Sequence, residues 1–130
     1  VDRWDDPARG SVSWQTVLSR DLTPTSKFTL GIAEVPADGT VGNPAHRHEP
    51  AEFYFVLAGE GVVEIDGITS PVRTGVAVYI PGNAEHCLHA TGDQPLRILY
   101  GFPTDSFAEV QYIFSPPSPP SASPPAEPPS

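Results

Sequence analysis

Apolar and polar positions alternate in short stretches along this chain. Between residues 27 and 35, Phe28, Leu30 and Ile32 fall on one side of an extended backbone, because successive strand side chains point to opposite faces. Residues 12–18 alternate in the same way, and residues 52–57 are rich in aromatic side chains. The same signals predict strands over 61–65, 68–73, 76–80, 85–90, 96–102 and 110–114. Asp66-Gly67 separates two of them and is a strong hairpin signal. Gly59-Glu60-Gly61, Pro81-Gly82-Asn83 and Thr91-Gly92-Asp93 supply further turns. No segment holds a helical period over three turns, although residues 105–110 have room for one turn. Eight or more short strands with frequent turns predict an all-β fold, either a sandwich or a closed barrel.

Composition narrows this picture. A length of 130 residues suits one domain. Eight of the 17 prolines crowd into residues 116–130, among Ser and Ala. That stretch has no large apolar side chains to offset the entropy of ordering, so it is expected to be a disordered or polyproline II tail. The folded domain is then expected to span residues 1–115. Sixteen acidic residues against seven Lys and Arg give a net charge of −9, and the basic residues are scattered. Nucleic acid and anionic membrane are therefore disfavoured as partners, since phosphate binding needs clustered positive charge. No apolar run approaches the ~20 residues of a membrane-spanning helix. The first residues lack the pattern of a secretory signal, and a cytoplasmic location is expected. A single cysteine, Cys87, excludes an intrachain disulfide and a cysteine-based zinc site.

The chemistry that remains belongs to His, Glu, Asp and Tyr. His46, His48 and Glu52 lie within seven residues, and His86 follows the Pro81 turn. Two histidines two apart on a strand share a face and sit about 7 Å apart along it. Glu52 and Tyr54 keep the same parity, so an unbroken strand would point all four inward, although Pro50 interrupts the ladder. Three imidazoles and one carboxylate suit a divalent transition metal such as Fe, Mn, Ni or Zn. On a six-coordinate ion they leave two positions open for a substrate.

These residues resemble the cupin family's two motifs. The first, G-x5-H-x-H-x3,4-E-x6-G, is matched by His46, His48, Glu52 and Gly59; the second, G-x5-P-x-G-x2-H-x3-N, by Gly75, Pro81 and His86. Thr40, Asn83 and Ala90 depart from the pattern; none is a ligand position, and Asn tolerates the positive φ that a glycine there would adopt. The resemblance, over about residues 25–115, implies a double-stranded β-helix, or jelly roll, with a metal inside it held by His46, His48, Glu52 and His86. It also implies a homodimer, with residues 12–18 as a strand that crosses to the partner.

Within that family, the stretch from Pro81 to His86 and the stretch from Phe102 to Tyr112 resemble the small cupin lyases that cleave dimethylsulfoniopropionate (DMSP). That resemblance assigns Tyr54, two residues after Glu52, and Tyr112, in the last strand, to catalysis. The substrate would be a small carboxylate bearing a sulfonium leaving group. Its elimination needs a base for the proton next to the carboxylate, and Tyr54 is assigned that part, with Tyr112 orienting the substrate. Two other readings use the same ligands: an Fe(II) dioxygenase acting on a small organic substrate, and a small-molecule-binding cupin without catalysis. Tyr79 and Tyr100 are expected to be structural, Trp14 to pack outside the barrel or on a partner, and Cys87 to be a small buried hydrophobe. His89, Glu49, Glu85 and Arg97 are expected to point away from the site.

Overall fold

A computed structural model describes residues 2–6, 10–37 and 45–114. The tail of 116–130 lies outside the described residues, as does Thr40. Eleven strands are present among the described residues: β1 (Asp2–Asp6), β2 (Gly10–Leu18), β3 (Thr29–Val35), β4 (His46–Arg47), β5 (Glu52–Ala58), β6 (Glu60–Ile65), β7 (Ile68–Arg73), β8 (Ala77–Ile80), β9 (His86–Ala90), β10 (Leu96–Phe102) and β11 (Ile113–Phe114). A single 3-10 turn, Phe107–Glu109, is the one helical element described. It falls inside the 105–110 stretch that the sequence left for one turn.

The strands form two antiparallel sheets. One has six strands in the order β1-β2-β3-β10-β5-β8, the other five in the order β11-β4-β9-β6-β7. Strands that follow one another in sequence often lie in different sheets, so the chain winds between the two and traps the core between them. Val35, Val56, Val63, Leu88, Leu96 and Ile98 form part of that core. The β6–β7 hairpin turns on Asp66 (φ 48°) and Gly67 (φ 83°), the left-handed pair that a two-residue turn of this twist requires. Asn83 takes φ 64°, as its place in the turn foretold.

Two elements differ from expectation. The predicted 110–114 strand shrinks to Ile113–Phe114, because residues 107–109 are coiled and the chain becomes extended only afterwards. Within the chain, β2 is hydrogen-bonded to β1 on one side and β3 on the other. On β3 the alternation is as read, but the larger apolar set faces outward. Thr29, Gly31, Ala33 and Val35 are buried, while Leu30 and Ile32 are only half-covered and Phe28 is exposed. Space decides this. A side chain on Gly31 would collide with the Tyr100 hydroxyl, so only small residues fit inward there.

Candidate metal centre and cavity

Both halves of the site come from the ends of short strands. β4 pairs with β9 so that His46 stands opposite His86, and β9 continues to β6, where His86 faces Ile65. The chain then turns through Pro50 into β5, whose inward parity carries Glu52 and Tyr54. The turn after β8 is seated against this loop. The Asn83 amide donates to the His48 carbonyl at 2.7 Å, and Gly82 lies so close to the Glu49 carbonyl that any Cβ there would collide with it. The sequence therefore brings the two motif loops into contact through a backbone bond and a glycine.

The result is a buried cluster. His46, His48, Glu52 and His86 are each at most 5% exposed. One ligand nitrogen from each of the three histidines lies within 4.8 Å of the others. Glu52 Oε1 stands 3.2 Å from His48 Nε2 and 3.4 Å from His86 Nε2. The far nitrogens fix the tautomers. His48 Nδ1 lies 2.8 Å from the Pro50 carbonyl and His86 Nδ1 2.8 Å from the Ala84 carbonyl. A carbonyl only accepts, so each Nδ1 carries the hydrogen and each neutral ring turns a bare Nε2 lone pair inward.

Lone pairs that face a carboxylate repel unless a proton or a cation lies between them. His86 Nε2 is buried and has no hydrogen-bond partner among the described residues, a costly state for a polar atom. At His48 the same approach of Glu52 raises the proton affinity of the ring. Burial is the largest single influence on it and pushes its pKa down. The hydrogen bond and charge of Glu52, with the Pro50 carbonyl, outweigh burial and leave the pKa above the ordinary histidine value. These donors fit a divalent transition metal: three imidazole nitrogens and a carboxylate converge, and two of the rings are already oriented by backbone carbonyls, as metal-bound histidines are.

A cavity of about 330 Å³ opens beside the cluster. His46, Glu52, Tyr54 and Tyr112 line it on the side of the cluster, and Trp14, Ala33, Ile98, Tyr100 and Phe107 line its far wall. Tyr54 is buried, with its ring 6.4 Å from that of His86. Tyr112 packs tilted against His46 at 4.6 Å and edge-on to His48 at 5.2 Å between ring centroids. Burial, then the negative charge of Glu52, then Tyr100, raise the Tyr112 phenol well above the ordinary tyrosine pKa. Tyr112 is therefore held as a hydrogen-bond donor at neutral pH. Of the six residues singled out from the sequence, His46, Glu52, Tyr54 and Tyr112 line this cavity, while His48 and His86 stand with His46 and Glu52 in the cluster beside it.

One residue was misread from the sequence. Trp14 does not pack outside the barrel. It lines the cavity edge-on to Phe107, and its indole Nε1 is buried with no hydrogen-bond partner among the described residues. Tyr100 also lines the cavity, with its hydroxyl 3.3 Å from Thr16 Oγ1. The parity of β2 and β10 carried this signal: Trp14 pairs with Ala33, and Tyr100 with Gly31 and Tyr54, all inward positions. Four other side chains lie as expected. Glu49, Glu85 and Arg97 are exposed. Cys87 is buried on the other face of β9, beside His89 Nε2 at 3.4 Å.

The cupin domain pattern matches residues 32–102. The chain belongs to the cupin family. It is 44% identical over 110 residues to the dimethylsulfoniopropionate lyase DddW of Ruegeria pomeroyi, a match that spans 85% of this chain and 70% of that protein. Among solved structures, a cupin 2 domain-containing protein of Halorhodospira halophila superposes with a TM-score of 0.64 at 27% identity, over 85% of this chain and 71% of that one. The DMSP lyase DddQ of Ruegeria pomeroyi superposes with a TM-score of 0.67 at 21% identity, over 83% of this chain and 53% of that one. At that identity the last likeness speaks for the fold. Among the described residues no helix is long and apolar enough to cross a membrane.

Proposed function

We propose that this cupin is a metal-dependent carbon–sulfur lyase that eliminates dimethyl sulfide from DMSP and leaves acrylate. The observation that carries the reading is the place of Tyr54. A buried phenol stands two residues beyond Glu52 on the same inward face and lines the same cavity, in a chain 44% identical to a protein named for that reaction.

His46, His48, Glu52 and His86 would hold the metal. A bound divalent ion supplies positive charge that attracts the substrate carboxylate and stabilises negative charge as it develops next to it. The chain's own residues do the rest. Tyr54, as the phenolate, takes the proton from the carbon adjacent to the carboxylate. The electron pair of that C–H bond becomes the new carbon–carbon double bond, and the bond to sulfur breaks with its pair on sulfur. Neutral dimethyl sulfide and acrylate leave, and the proton on Tyr54 passes to solvent. Tyr112, kept protonated, donates a hydrogen bond that orients the substrate. The apolar far wall excludes water, and its aromatic faces attract the sulfonium.

The test is headspace detection of dimethyl sulfide from DMSP, with protein reconstituted in parallel with Fe, Mn, Ni and Zn. Tyr54→Phe is expected to lower turnover by about 10²–10⁴-fold while metal content stays at the wild-type level. Full turnover in that variant refutes the base assignment, and absence of dimethyl sulfide from every metal form refutes the reaction.

A further inference from the structure

The cavity is larger than the substrate proposed for it. DMSP has about eight non-hydrogen atoms and fills on the order of 150 Å³ at ~20 Å³ each, whereas the cavity holds about 330 Å³. Strand register shows where the surplus lies. Inward side chains cross β5, β10, β3 and β2 in rows. The row next to Glu52 runs through Tyr54, Tyr100, Gly31 and Thr16, and the row beyond it through Val56, Ile98, Ala33 and Trp14. Successive inward rows are about 7 Å apart, so the Ala33 row lies ~13 Å along the strands from Glu52. DMSP spans about 6 Å from carboxylate oxygen to methyl. With its carboxylate at the histidine cluster, it ends at the Tyr54 row.

Ile98, Ala33 and Trp14 line the cavity, and so does Val35, one row farther on. All four are apolar. Ala33 stands between Ile98 and Trp14 with a single methyl, the smallest side chain of its row. We infer that this distal lobe receives an apolar chain of the substrate, and that Ala33 sets how long that chain can be. The inference rests on the lyase reading of the site. A carboxylate at the cluster and a proton at Tyr54 fix the propionate part, so the sulfur stands near the Tyr54 row and one of its substituents points on toward Ala33. The ligand class is a sulfoniopropionate that carries one alkyl group longer than methyl. Tyr54 takes the proton, the carbon–sulfur bond breaks with its pair on sulfur, and a neutral alkyl methyl sulfide leaves with acrylate. Each methylene that enters the lobe exchanges water for apolar surface, which favours binding by about 4-fold.

Two series test this. The first needs no turnover: straight-chain carboxylates from propanoate to octanoate are titrated calorimetrically into the Zn-loaded protein. Pentanoate matches the reach of DMSP. Affinity is expected to go on rising beyond it, by about 3-fold for each further methylene. Ala33→Leu, which fills the lobe, is expected to abolish the gain beyond pentanoate. An affinity that levels off or falls after pentanoate in the wild type overturns the inference, and so does a gain that Ala33→Leu leaves intact. The second series measures sulfide release from DMSP and from its homologue with one methyl replaced by butyl. The wild type is expected to favour the butyl homologue in kcat/KM by about 10-fold or more, and Ala33→Leu to reverse the preference. Release from DMSP alone overturns the inference. Release from neither overturns the lyase reading, and the carboxylate series then still decides what the lobe takes.

Discussion

His48 and His86 share one electrostatic conflict, the approach of Glu52 to their inward nitrogens at 3.2 and 3.4 Å, and it can be read by experiment. With no metal bound, the raised pKa of His48 means that the folded chain holds a proton there that the unfolded chain releases more readily. This contribution to stability is fully present below the ordinary histidine pKa of ~6.5. It is lost as pH rises from that value through the folded one. Melting of metal-stripped protein should therefore shift to lower temperature over that window, and the shift should vanish in His48→Gln. The same proton competes with the metal, so affinity should fall on acidification over the same range. Removal of a ligand outright, as in His86→Ala, should weaken metal binding by more than the ~10–100-fold typical of losing a supporting partner, as measured by competition with a chelator. Cys87 offers a separate check. Burial first, then the charge and hydrogen bond of Glu64 and the charge of Glu85, push its thiol up to about 11. Alkylation should be slow at neutral pH and accelerate only toward that value.

At the scale of elements, the sequence was most legible where a local rule acts alone. Asp66-Gly67 marks its hairpin because the turn depends only on its own residues, and the Glu52–Ala58 and Leu96–Phe102 strands fall where the aromatic-rich and apolar stretches were read. β3 was harder. Its alternation was visible, but which face turns inward depends on how close Tyr100 of β10 comes to Gly31, a contact between strands about seventy residues apart. The inward place of Trp14 was hidden for the same reason. The residues proposed to hold a metal were legible because the spacing of the motif is itself local, whereas the rest of the cavity lining exists only once the strands are paired. Gly31→Ala tests this close approach. The added methyl would meet the Tyr100 hydroxyl and the Gln15 carbonyl. The expected result is a loss of about 1–3 kcal/mol in denaturant unfolding, typical of overpacking, with Tyr100 displaced and the cavity reshaped.

For the molecule as a whole, the cluster ties the two sheets to one another, with His46 and His86 on the five-stranded sheet and Glu52 on the six-stranded one. A ligand that binds only the folded chain stabilises it by mass action. At a free metal concentration 100 times Kd this amounts to about 2.7 kcal/mol, or a rise of several degrees in melting temperature for a domain of this size. Removal of the metal by a chelator should reverse the rise in calorimetry, and His86→Ala should show no such dependence.

The aim of His48 and of His86 is set by a carbonyl only two residues away along the chain. Each ring is thus held by its own short loop, while most of the opposing wall is contributed by β2, β3 and β10. Mutation can redraw that wall, and so the molecules admitted, while the ion's seat stays undisturbed. A scaffold divided in this way can change diet while its histidine cluster keeps its shape.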